Sequence, residues 1–77
     1  MKVEDIIREV LYIDETTELS DDIGPEQLEA WDSLGHVNII TAIEDEYDIE
    51  ISPEEIGEIN SIAEIKKILI KKGAIPE

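Results

Sequence analysis

Residues 31–47, with the sequence WDSLGHVNIITAIEDEY, combine a helix start with an apolar stripe. Apolar side chains recur there at spacings of three and four residues, which predicts an amphipathic helix over residues 33–47. The stripe consists of Leu34, Val37, Ile40, Ile43 and Tyr47, supported by Ile39 and Ala42. Asp32 or Ser33 can cap the free amides at the start of this helix. We expect Leu34 to point into the core.

Three further segments show helix signals. Residues 2–13 carry apolar side chains on one face, which predicts a first helix. Residues 52–55, SPEE, place a capping residue before a proline and predict a short helix that runs to about Gly57. Residues 61–64, SIAE, form a second predicted capping box, and the helix that they open ends before Gly73.

Residues 14–32 lack this periodicity and form a long loop with isolated apolar anchors. The anchors within it are Leu19, Ile23 and Leu28. Three longer helices and one short helix predict an all-α fold, a small antiparallel bundle. At 77 residues, the chain is expected to form a single domain over residues 1–77.

The charge of the chain is strongly acidic and unevenly distributed. The net charge is -15, and no lysine or arginine occurs from residue 9 to residue 65. Such a surface repels nucleic acid and anionic membranes, so we expect partners with basic protein surfaces. The start of the chain lacks a signal-peptide pattern and no stretch is long enough to span a bilayer. These features predict a cytoplasmic protein, and we expect a monomer.

Metal and thiol chemistry have little support in the sequence. The chain has no cysteine, so any thiol must arrive on a cofactor. Calcium binding is suggested by the density of acids, but residues 45–50, DEYDIE, lack the alternating ligands and the central glycine of an EF-hand loop. We therefore expect no intrinsic metal site.

Ser33 places a lone hydroxyl at the first turn of the second predicted helix. His36 follows three residues later and raises the possibility of a catalytic dyad, but no third group, glycine-rich elbow or oxyanion hole accompanies it. The sequence therefore favours a protein that is not an enzyme, with His36 facing solvent. Two interpretations of Ser33 remain: a helix cap, and a modification site at which the helix N-terminus would favour an attached anion by about 0.3–1 kcal/mol.

The order of these features resembles that of the acyl carrier proteins over nearly the whole chain. The similar segments are residues 31–37, WDSLGHV, residues 42–49, AIEDEYDI, and residues 52–55, SPEE. In that family the serine of Asp-Ser-Leu attacks the diphosphate of coenzyme A in a Mg²⁺-dependent reaction run by a phosphopantetheinyl transferase. The resemblance implies that Ser33 carries covalent 4′-phosphopantetheine, whose thiol holds acyl or aminoacyl groups as thioesters and shuttles them between enzymes.

The resemblance also implies where partners bind. Asp32 and Leu34 would be recognised by the transferase, and the acidic face of the second helix would dock acyl- or aminoacyl-loading and acyl-processing enzymes. The expected recognition residues are Asp32, Leu34, Val37, Glu44 and Asp45. Gly35 and Asn38 stand where fatty-acid carriers usually have acids, so the stretch looks more like stand-alone carriers of specialised or polyketide-type pathways. The alternative function is an unmodified acidic module that binds a basic protein.

Overall fold

A computed structural model describes residues 2–75 of the chain as four helices without a strand. The helices are α1 (Val3–Leu11), α2 (Ser33–Tyr47), α3 (Pro53–Glu58) and α4 (Ile62–Lys71). The predicted all-α bundle of three longer helices and one short helix is confirmed, and the bounds of α2 agree with the prediction. The predicted domain also included Met1, Pro76 and Glu77, which lie outside the described residues.

Aliphatic side chains, mostly isoleucine, form the core, and α1 packs against both α2 and α4. The largest side chains that are fully buried are Trp31, Ile7, Ile39, Ile43, Ile62, Ile65 and Leu69. Within residues 2–75, no helix is both long enough and apolar enough to cross a membrane.

The long loop between α1 and α2 is tied to the start of α4. Leu19 is buried, and the carbonyl oxygens of Asp21 and Ile23 accept hydrogen bonds from the backbone N–H groups of Ala63 at 3.0 Å and Ile62 at 2.9 Å. The side chain of Ser61 makes no capping bond. The predicted capping box at residues 61–64 was therefore wrong, because the loop backbone satisfies the first amides of α4.

The predicted capping box of α3 is confirmed. The Ser52 hydroxyl accepts the backbone N–H of Glu55 at 3.2 Å, and a Glu55 carboxylate oxygen accepts the N–H of Ser52 at 3.0 Å. The Ser52 N–H, with Lys72 adding a 3.1 Å ion pair, holds the pKa of Glu55 below its ordinary value. This lysine therefore joins the end of α4 to the start of α3.

A second lysine joins three parts of the bundle. The Lys66 ammonium lies 2.7 Å from a carboxylate oxygen of Asp21 and 2.9 Å from one of Glu4, so it links α4 to the loop and to α1. The hydrogen bonds to Asp21 and then to Glu4 raise the pKa of Lys66. Burial opposes ionisation of Glu4, but the hydrogen bond from Lys66 contributes to a net lowering of the Glu4 pKa.

Candidate functional site

The cap of α2 is Asp32 rather than Ser33. The Asp32 carboxylate accepts the backbone N–H of Gly35 at 2.8 Å, and its carbonyl accepts the N–H of His36 at 2.8 Å. Ser33 is the first helical residue and is exposed. No residue between 2 and 75 forms a hydrogen bond with its hydroxyl. The interpretation of Ser33 as a helix cap was wrong, and its hydroxyl is free for chemistry.

Gly35 is buried where the start of α2 touches the preceding loop. A Cβ atom at this position would lie 2.6 Å from the carbonyl oxygen of Ala30 and 2.9 Å from a methyl carbon of Leu11. Both distances are too short for a carbon atom. Gly35 stands where fatty-acid carriers usually have an acidic residue, but here the position is packed against Ala30 and Leu11. A carboxylate side chain would not fit there without moving the backbone.

Trp31 and His36 form a hydrogen-bonded bridge from the start of α2 to α3. The indole N–H of Trp31 donates to Nδ1 of His36 at 2.9 Å, and Nε2 of His36 lies 2.9 Å from the carbonyl oxygen of Ile56. An indole nitrogen can only donate, so Nδ1 accepts and Nε2 carries the proton that binds Ile56. Trp31 is 1% exposed and serves as a packing anchor.

This bridge corrects the sequence-based interpretation of His36. The ring was expected to face solvent, but it is half-buried and both of its nitrogens are engaged. A general base needs a free lone pair directed at the nucleophile. His36 has none to offer Ser33, so the structure argues against the dyad.

The outer face of α2 carries exposed apolar side chains beside Ser33. Leu34 is 70% exposed and Val37 is 56% exposed, so the expectation that Leu34 enters the core was wrong. The reason is geometric, because the buried arc of α2 contains Gly35, Ile39 and Ile43, and Leu34 lies outside it. Leu34 and Val37 are instead available to another molecule.

The two acidic candidates near the end of α2 differ. Glu44 is half-buried, and its carboxylate accepts the backbone N–H of Ile51 at 2.8 Å, which supports the connection between α2 and α3. Asp45 is exposed. The structure therefore places Asp32, Leu34, Val37 and Asp45 at the surface of one helix, whereas Glu44 also has a structural task.

A shallow recess of about 420 Å³ adjoins Ser33. It is lined by Pro25, Trp31, Asp32, Ser33 and His36. The loop supplies the proline and the tryptophan, and α2 with its cap supplies the rest. Nothing in the sequence pointed to this arrangement, because Pro25 is held near α2 by the fold of the loop.

Within residues 2–75, no group of three or more acidic or histidine side chains is placed to hold a metal ion.

The family model described as a phosphopantetheine attachment site matches residues 2–69. The acyl carrier protein of Clostridium acetobutylicum is 38% identical over 69 residues, which cover 83% of this chain and 82% of that protein. The acyl carrier protein of Bdellovibrio bacteriovorus is 35% identical over 77 residues, covering 94% and 91%. The solution structure of the holo acyl carrier protein from Geobacter metallireducens superposes with a TM-score of 0.81 at 28% identity, covering 91% of this chain and 79% of that one.

The helical bundle with an exposed serine at the start of α2 is therefore that of a phosphopantetheine-dependent carrier. The chain belongs to the acyl carrier protein family. Its cofactor is covalently attached 4′-phosphopantetheine, and its relatives are carriers rather than enzymes. Members of the family interact with phosphopantetheinyl transferases and with acyl-processing enzymes.

Proposed function

We propose that Ser33 is the attachment point of 4′-phosphopantetheine, whose thiol carries acyl or aminoacyl groups as thioesters between the enzymes of a biosynthetic pathway. The observation that supports this assignment is the position of the hydroxyl. Asp32 has taken over the cap, so the Ser33 side chain is exposed and free of hydrogen bonds to residues 2–75.

The attachment step needs only a nucleophile from this chain. The oxygen of Ser33 forms a bond to phosphorus in the diphosphate of coenzyme A, the bridging P–O bond breaks, and the nucleotide half leaves with the electron pair. The transferase supplies the base that takes the hydroxyl proton and the Mg²⁺ that neutralises the diphosphate. His36 takes no part, since both of its nitrogens are bound.

The local charge permits the product without clamping it. The N-terminus of α2 favours an anion, whereas the Asp32 carboxylate repels one. No lysine or arginine occurs between residues 9 and 65. The sequence near Ser33 therefore supplies no cation to pair with the phosphodiester. Charge therefore does not fix the phosphodiester in one orientation, and its covalent bond to Ser33 is what anchors it.

The surface around Ser33 supports recognition by other proteins. Leu34 and Val37 offer apolar contacts, and Asp32 and Asp45 offer negative charge on the same helix. Apolar anchors with a charged rim suit a transient protein interface, and the net charge of -15 would steer a basic enzyme surface towards it. We assign these residues to docking of the transferase and the acyl- or aminoacyl-loading enzymes, with Glu44 contributing through its exposed part.

The pathway that we favour is a specialised one served by a stand-alone, cytoplasmic, monomeric carrier, rather than bulk fatty-acid synthesis. Asn38 is exposed without a charge, and Gly35 cannot accept an acid because of its contact with Ala30. The face that follows Ser33 is therefore less acidic than the fatty-acid branch of the family would require. Fatty-acid and polyketide-type pathways are the other candidates.

Intact mass after enzymatic loading tests the assignment. Wild type, Ser33→Ala and Ser20→Ala are incubated with coenzyme A, Mg²⁺ and a broad-specificity phosphopantetheinyl transferase. Ser20 is a matched control because it is an exposed serine in the loop. We expect one phosphopantetheine on wild type and on Ser20→Ala, and none on Ser33→Ala. No gain on wild type with several transferases would instead favour the unmodified acidic interaction module, whose binding would survive Ser33→Ala.

A further inference from the structure

Among the recesses described for residues 2–75, the shallow one at the start of α2 is lined by Ser33 itself. Most of its lining is carbon. Pro25 and the His36 ring supply its accessible carbon surface, whereas Trp31 lies behind them and is only 1% exposed. We propose that this recess binds the pantoyl segment of the phosphopantetheine arm, with its two methyl groups packed against Pro25 and the His36 ring. The inference rests on the proposed attachment at Ser33.

The covalent tether identifies the occupant. Ser33 lines the recess, so an arm that starts at its hydroxyl begins at the rim, and the pantoyl carbons follow directly after the phosphate. A volume of about 420 Å³ lies in the range of small-ligand pockets and is ample for this segment. The methyl groups are the most apolar part of the arm, and apolar surface favours removal from water.

The Trp31 and His36 rings tolerate an apolar neighbour because their nitrogens are already paired. The Trp31 N–H binds His36 Nδ1, and His36 Nε2 binds the Ile56 carbonyl. Neither ring has a nitrogen left that must stay hydrated, so covering them with carbon leaves no hydrogen bond unmade.

The same bridge sets the direction of the arm. The hydrogen bond from His36 to the Ile56 carbonyl connects the start of α2 to α3, so an arm that passed between the two helices at this point would have to break it. The thiol end consequently stays outside the core, and the cargo is carried at the surface. With the pantoyl segment on the Pro25 side, the exposed Leu34 and Val37 remain open to partner enzymes.

Nuclear Overhauser contacts in the loaded protein test the site. Isotope-labelled protein is loaded with coenzyme A, Mg²⁺ and a transferase, and its modification is verified by intact mass. We expect contacts from the pantoyl methyl protons to the Pro25 and His36 ring protons. Pro25→Ala should lose most of them and move the methyl shifts towards those of free pantetheine. Pro53→Ala is the matched control, because Pro53 is an exposed proline at the start of α3 and does not line the recess.

The outcomes separate the two proposals. A loaded wild-type protein whose pantoyl methyls contact Leu34 or Val37, or contact no residue and relax like a free arm, overturns the recess while leaving Ser33 as the attachment point. A protein that gains no mass overturns the attachment at Ser33 and the recess with it. Contacts to Pro25 and His36 in wild type support the recess even if Pro25→Ala does not fold.

Discussion

Replacement of Gly35 by alanine tests how closely α2 is fitted to the loop before it. The added methyl would lie 2.6 Å from the carbonyl oxygen of Ala30, which is backbone, and 2.9 Å from Leu11. Relief requires the start of α2 to move away from the loop, an overpacking cost of about 1–3 kcal/mol. Alanine recovers up to about 1 kcal/mol of helix propensity. With the full propensity gain, we expect a net loss of up to about 2 kcal/mol in the free energy of unfolding.

Gly57 provides the matched control for this experiment. It lies within α3, and a Cβ atom there would meet nothing within 4 Å. Gly57→Ala should therefore gain about 0.5–1 kcal/mol from propensity alone. Both variants are unfolded with urea and followed by circular dichroism, and thermal midpoints should move by about 4–8 °C per kcal/mol. If Gly35→Ala were as stable as Gly57→Ala, the inferred contact with Ala30 would be refuted.

Three further changes probe the bridge, the lysine cluster and the outer face. His36→Phe keeps a ring but leaves the Trp31 N–H and the Ile56 carbonyl unpaired, so urea unfolding should show a loss of about 1–3 kcal/mol, and an unchanged midpoint would contradict the bridge. Lys66→Met should cost about 1 kcal/mol near neutral pH. Because the Glu4 pKa is lowered, the stability difference should persist above the ordinary glutamate pKa and shrink as pH falls through the lowered Glu4 pKa. Because the Lys66 pKa is raised, the difference should also shrink as pH rises through the raised Lys66 pKa. Thermal unfolding across pH checks this, and a difference that persists in strong acid would exclude the ion pairs as its cause. Leu34→Ala should change stability by less than about 0.5 kcal/mol, since Leu34 is 70% exposed, yet slow loading by the transferase; a large stability loss would show that Leu34 packs inside.

Periodicity predicted the three longer helices of this chain well, because each of them buries one stripe of its own residues. It could not tell which stripe of α2 faces inward, since Leu34 with Val37 and Ile39 with Ile43 both follow helical spacing. Only the packing of α1 against one of these arcs decides the matter. The prediction for Leu34 failed for this reason.

The partners of single polar residues were also beyond the sequence. His36 binds a carbonyl at Ile56, on another helix, and no local pattern marks that pair. Ser61 has the right residue type to cap α4, so the sequence predicted a local cap. In the structure, carbonyl oxygens of the loop accept the first N–H groups of α4 instead. The motif marked Ser33 as a candidate site, but the sequence could not tell whether Asp32 or Ser33 caps α2. The Asp32 carboxylate accepts the Gly35 N–H, so the Ser33 hydroxyl is not used as the cap.

The loop that caps α4 also bears on the biosynthesis of the carrier. Asp21 and Ile23 receive their hydrogen bonds from Ala63 and Ile62, which leave the ribosome much later than the loop itself. A nascent chain that ends before α4 lacks these two hydrogen bonds and their hold on the loop, although Ser33 has already been translated. We therefore expect the transferase to act on the completed chain, so that a truncated translation product would not consume coenzyme A.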